Sequence, residues 1–184
     1  EYMAAAGYDA VSMGNHEFDY SFDALLDNMK VLTDAGVKVI DANVINKETV
    51  KSYFDANAVF EFDGIKVGVF GLDTSETLTK ASPSNVKAVN FLDKEEMFKE
   101  AQAQVDELKS AGCDYIIALT HLGVDEESVG RRSTDLAAAV KGIDLIVDGH
   151  SHTVIDGGEK VGDTVIVSTG SYLANVGTVV IDKE

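Results

Sequence analysis

The sequence predicts an α/β fold of two packed mixed β-sheets with helices outside, and three observations carry that expectation. Four glycines of the kind that ends a helix, Gly7, Gly36, Gly112 and Gly142, are each followed by a short apolar run, the mark of helices alternating with buried strands. Asp63-Gly64 separates two runs rich in Val and Phe (58–62 and 65–70), which signals a hairpin with a type I′ turn. Near the end, runs 164–168 and 175–181 read as two more strands, antiparallel neighbours of each other. That is more strand than a plain βαβ series holds, hence two mixed sheets.

Taken in order, Glu1-Tyr2-Met3-Ala4-Ala5-Ala6-Gly7 reads as the last turns of a helix whose start lies upstream, so a piece of a longer chain is expected. Residues 10–13 form a buried strand leading to Asn15 and His16. Ser21 caps a helix over 22–35, with Leu25, Leu26, Met29 and Leu32 at core-facing spacing. Residues 37–40 lead to Asp41 and Asn43. After the hairpin, 74–90, with the single proline Pro83, reads as a polar loop. Asp93-Lys94-Glu95-Glu96 has capping-box form before a helix over 97–111, in which Phe98, Ala101, Val105 and Leu108 repeat at helical intervals. Strand 115–119 leads to Thr120 and His121. Ser133 or Thr134 caps a helix over 136–141, and strand 145–147 leads to Asp148, His150 and His152. Parallel strands share a direction, so these strand ends lie along one rim, where open α/β sheets place their ligands.

The chain has 184 residues, enough for one domain with a sizeable core. Its net charge of −17, from 32 acidic and 15 basic residues, excludes the positive footprint of a nucleic-acid groove or an anionic membrane surface. An anionic small substrate then needs a local positive charge, which a bound metal ion supplies. No apolar run approaches the roughly 18 residues of a membrane span. With one cysteine no internal disulfide forms, and Cys113 at a helix–strand junction reads as a small apolar residue.

All four histidines, His16, His121, His150 and His152, fall just after predicted strands. Neutral imidazoles together with Asn and carboxylates suit divalent Zn, Mn or Fe. In extended chain His150 and His152 point to the same side, so both rings can face one cavity. Arg131-Arg132 reads as a solvated pair, Glu17 as holding its turn, and Asp41 and Asp73 as strand-end hydrogen-bonding residues. Thr120 and Ser151 read as makers of loop hydrogen bonds, and Asp148 as a candidate to orient a ligand imidazole.

The motifs Gly14-Asn15-His16-Glu17-Phe18-Asp19, Thr120-His121-Leu122-Gly123 and Gly149-His150-Ser151-His152, in that order, resemble the calcineurin-like metallophosphoesterases, within them the branch of 5′-nucleotidases, UDP-sugar hydrolases and 2′,3′-cyclic phosphodiesterases. The resemblance covers essentially the whole chain and implies an α/β/β/α sandwich without its first strands. It implies that residues 1–184 are one catalytic domain, truncated at its N-terminus, with the C-terminal nucleotide-binding domain absent.

By the same resemblance Asn15, His121 and His150 bind one metal of a dinuclear pair and His152 the other. His16 contacts the phosphate, and Asp19 orients His16 through its other ring nitrogen. The reaction implied is hydrolysis of a phosphate ester, most simply a nucleoside 5′-monophosphate, outside the cytoplasm: extracellular, in the cell wall or in the periplasm. The two ions (Zn, Mn, Fe, Mg or Ca) belong to the parent enzyme, whose remaining polypeptide is an expected partner. The family's Asp-x-His and Gly-Asp motifs lie upstream of Gly14-Asn15-His16-Glu17, and two cations without their bridging anion repel. The chain alone is therefore expected to hold at most one ion weakly and to hydrolyse little. The alternative is a non-catalytic binding or scaffolding module with a degenerate site.

Overall fold

The computed structural model describes residues 2–182. Helix α1 (Tyr2–Ala6), strand β1 (Ala10–Val11), a 3₁₀ turn (Asn15–Phe18), helix α2 (Phe22–Asp34) and strand β2 (Lys38–Val39) open the chain. Strands β3 (Val44–Asn46), β4 (Asn57–Phe62) and β5 (Ile65–Asp73), helix α3 (Thr77–Lys80) and strand β6 (Val89–Phe91) follow. Then come α4 (Glu95–Ser110), β7 (Tyr115–His121), α5 (Ser133–Ala139), β8 (Leu145–Val147), β9 (Val154–Val161) and β10 (Thr164–Thr169). The four glycines that follow α1, α2, α4 and α5 all have φ between 79° and 92°, a left-handed conformation that lets a helix stop and reverse into a strand.

A six-stranded mixed sheet, ordered β4-β5-β7-β8-β10-β9, forms the centre, and β1 pairs parallel with β2 in a second, small sheet. Strand alternation decides what each face covers. Phe70, Leu72, Ile116, Ala118, Ile146 and Ile166 pack under Met97, Ala101, Val105 and Leu108 of α4 and Leu136 of α5. On the opposite face Val67, Val69, Ile117 and Leu119 meet Ala10 of the small sheet and Ile40 just beyond β2. The outer face of that sheet, with Val11 and Val39, packs on Leu25 and Leu32 of α2. The layers run helix, sheet, sheet, helix.

The hairpin forms as the sequence predicts. Asp63 (φ 50°) and Gly64 (φ 79°) are both left-handed, as a type I′ turn requires, and β4 pairs with β5 from Asn57↔Phe70 to Phe62↔Ile65. A Cβ on Gly64 meets open space, so Gly64→Ala adds backbone strain alone. A loss of about 1 kcal/mol is expected in urea denaturation; an unchanged midpoint would contradict the turn.

Several expectations are corrected. Residues 175–181 form no strand. The antiparallel partner of β10 is β9, whose Gly157, Gly158 and charged Asp156, Glu159 and Lys160 hide an edge strand. Within 74–90 lie α3 and the start of β6, which pairs antiparallel with β3. Asp93 does not cap α4, because its carboxylate is taken by Arg131 and Lys94 occupies the cap with φ 49°. Neither Ser133 nor Thr134 caps α5: Arg132 does, with Asp135 Oδ2 accepting from the Arg132 amide.

Candidate metal centre

The rim where strands end is also the seam between the two sheets. Asn15 opens the turn after β1 of the small sheet, while His121 ends β7 and His150 follows β8, both in the large sheet. Asn15 Oδ1 stands 2.9 Å from His121 Nε2 and 3.2 Å from His150 Nδ1. The two imidazoles lie edge to face, 5.0 Å between centroids. Residues 106 and 135 positions apart in sequence thus turn donor atoms toward one point.

The glycines of the motifs make room for this. A Cβ on Gly14 would stand 2.9 Å from His121 Cε1 and Nδ1, and one on Gly149 3.0 Å from Nδ1; the ring lies against both backbones. Burial, then repulsion from the neighbouring imidazoles of His150, His16 and His152 whenever they are protonated, and from Lys80, presses the His121 imidazole down to about 4, so it is neutral at neutral pH. Glu17 Oε2 accepts from the Gly14 amide at 2.8 Å and holds the turn that presents Asn15.

Asp148 orients the backbone around His121. Its Oδ1 accepts from Thr120 Oγ1 (2.8 Å) and from the amides of Leu122 (3.0 Å) and Gly123 (3.3 Å). The expectation that it holds an imidazole is corrected by these partners. Ser151 Oγ accepts from the Val124 amide, a loop bond of the kind expected.

His16 Nδ1 is hydrogen-bonded to Asp19 Oδ2 at 2.8 Å, and both side chains are exposed. His152 is exposed too, its ring 6.2 Å from that of Tyr172. His150 (φ 73°) and His152 (φ 55°) are left-handed, so the extended-chain argument for their sharing a cavity does not hold: the side chain of His150 is buried and His152 is exposed.

Sequence reasoning missed Glu76. Its Oε2 lies 3.2 Å from His150 Nε2 and 2.9 Å from Lys80 Nζ, while its Oε1 accepts from Ser128 Oγ (2.7 Å) and Arg131 (3.5 Å). Burial works to raise this carboxyl, but hydrogen bonds from Lys80, Ser128 and His150 outweigh it and draw it down to about 2. Arg131 also grips Asp93 through Nε and Nη2, and Arg132 grips Asp135; neither arginine is the solvated residue expected. The one signal available was position: Glu76 follows β5 on the same rim as the histidines.

A neutral imidazole has one N–H, yet His150 meets an acceptor oxygen at each nitrogen, Asn15 Oδ1 and Glu76 Oε2. A cation beside Nδ1 resolves that conflict. The donor set, two imidazoles and an amide oxygen, fits a divalent transition metal. Among the described residues no group of three or more His, Cys, Asp or Glu is arranged for an ion; here the third donor is an amide.

The family model described as "Bacterial capsule synthesis protein PGA_cap" matches residues 1–175. The chain belongs to that family, in the 5′-nucleotidase branch of the calcineurin-like metallophosphoesterases. It is 33% identical over 178 residues to a 5′-nucleotidase of Diplobatis ommata, a match covering 95% of this chain and 29% of that one. The calcineurin-like phosphoesterase YfkN of Bacillus subtilis superposes with a TM-score of 0.70 at 26% identity, over 91% of this chain and 56% of that one. The sulfate thiohydrolase SoxB of Thermus thermophilus, at 20% identity over 92% of this chain and 29% of that one, shares the fold with a TM-score of 0.78. This metallophosphoesterase chain spans less than a third of the 5′-nucleotidase it matches.

Proposed function

We propose that the chain is part of a metal-dependent phosphoesterase that hydrolyses nucleoside 5′-monophosphates or related nucleotides outside the cytoplasm. The observation that carries the reading is the meeting of Asn15 Oδ1, His121 Nε2 and His150 Nδ1, supported by the similarity to 5′-nucleotidases. These three side chains would hold one divalent ion, and His152 would serve a second ion completed by other parts of the polypeptide. When bound, such ions polarise the phosphoryl oxygens and lower the pKa of a coordinated water.

The protein's own groups divide the remaining work. Asp19 accepts from His16 Nδ1 and fixes the ring so that Nε2 is presented to the ester. From there His16 stabilises charge on the phosphoryl group or gives its proton to the leaving oxygen. Glu17 and Asp148 keep Asn15 and His121 in register through the backbone. With three donors for one ion, the 184 residues alone would hold at most one Mn²⁺, weakly, and hydrolyse little.

The test measures hydrolysis of AMP and p-nitrophenyl phosphate with added Mn²⁺, in the polypeptide with its flanking sequence. His16→Ala is expected to lower kcat by about 10²–10⁴-fold, with Mn²⁺ affinity kept because His16 lies outside the three-donor set. A polypeptide that binds Mn²⁺ and turns over neither ester would favour the binding module instead.

A further inference from the structure

We propose that Glu76 is a positioning residue that sets the tautomer of His150 and thereby aims its Nδ1 lone pair at the point shared with Asn15 and His121. The inference rests on the metal reading above and extends it to a residue in none of the three motifs.

The geometry is specific. Glu76 leaves the end of β5, a strand that pairs with β7 up to Asp73↔His121, so the carboxylate rises beside the histidine rim. Its side chain is 10% exposed and that of His150 6%, which leaves little water to compete for the bond between them. Oε2 meets His150 Nε2 at 3.2 Å. Lys80 and Ser128 hold the carboxylate on other sides at 2.9 and 2.7 Å, and Arg131 approaches at 3.5 Å. Arg131 is itself fixed by both oxygens of Asp93. A carboxylate braced in this way can only accept, and its full charge holds the imidazole proton at Nε2 more strongly than the neutral amide oxygen of Asn15, at the same 3.2 Å, holds it at Nδ1. The other nitrogen is then left unprotonated where a metal needs it. His121 has no such carboxylate among its hydrogen bonds in the described residues; packing between Gly14 and Gly149 fixes it. The two ligand rings are thus oriented by different means, one by contact and one by charge.

Nitrogen-resolved imidazole NMR of the metal-free chain, at a pH where the rings are neutral, reads the tautomer directly. The unchanged chain should carry the His150 proton on Nε2, and Glu76→Leu should move it toward Nδ1. Calorimetric titration with Mn²⁺ should show Glu76→Leu weakened by about 10- to 100-fold. Glu76→Gln, whose amide oxygen still accepts from Nε2, should restore the tautomer and most of the affinity. An Nδ1–H tautomer in the unchanged chain would overturn the proposal, and this measurement decides even where Glu76→Leu does not fold. A folded Glu76→Leu chain with unaltered tautomer or unaltered Mn²⁺ affinity would overturn it too. Should the unchanged chain bind no Mn²⁺ while Glu76→Leu shifts the tautomer, the metal reading fails and the orienting role of Glu76 stands.

Discussion

Gly71→Ala should cost on the order of 3–5 kcal/mol in urea denaturation and lower the melting temperature by roughly 10 °C or more. Gly71 sits in β5 where the large sheet touches the small one. A Cβ there would stand 2.1 Å from the carbonyl oxygen of Ile40 and 2.8 Å from Ser12 Oγ. The first obstacle is backbone and cannot turn aside. Relief requires the sheets to part, which pulls the Ala42 amide from the Gly71 carbonyl it donates to at 2.9 Å and opens the packing of Ile40 on Val67 and Val69. Against a typical stability of about 5–15 kcal/mol, this is a large share. A Gly71→Ala chain within about 1 kcal/mol of the original, an ordinary surface effect, would mean that the layers are not in register at this residue.

The second large effect concerns pH. Asp41 is fully buried, and its Oδ1 accepts from the amides of Asn43 and Val44. Burial pushes its carboxyl from 3.8 up to about 7, against the pull of those backbone donors. Asp73, also buried, is raised by burial and then by the charge of Asp41. The folded state therefore binds a proton at Asp41 more tightly than the unfolded chain does. Its contribution to stability is full below pH 3.8 and is lost as pH rises through about 7. The loss across that window is on the order of 4 kcal/mol. Asp41→Asn keeps an acceptor at Oδ1 and has nothing to ionise. The variant should gain on the original progressively from pH 4 to pH 7 and hold that gain above it. Parallel stability profiles for the two proteins would contradict the buried-acid reading.

Much of the layered fold could be read from local rules. Gly112 and Gly142 announce β7 and β8, and Asp63-Gly64 announces the hairpin, because a left-handed turn leaves few alternatives to glycine. What escaped was settled at long range. Strands β3 and β6 are three residues each, too short for a periodic signal. The alternation at 175–181 predicts a strand, yet no strand of the described residues pairs with it.

The site divides in the same way. Asn15, His121 and His150 stand out because strand ends on one rim must meet. Asp148 is conspicuous as a residue and obscure as a role, since only its partners reveal that it grips backbone. Glu76 is one acid among the 32 acidic residues, and nothing short of its contact with His150, 74 positions away, separates it from the rest.

The origin of the three donors has a mechanical consequence. One comes from the small sheet and two from the large, so a cation taken at Asn15, His121 and His150 is a fastener across the join. Whatever free energy holds the ion also holds the halves of the sandwich together, and loosening either loosens the other.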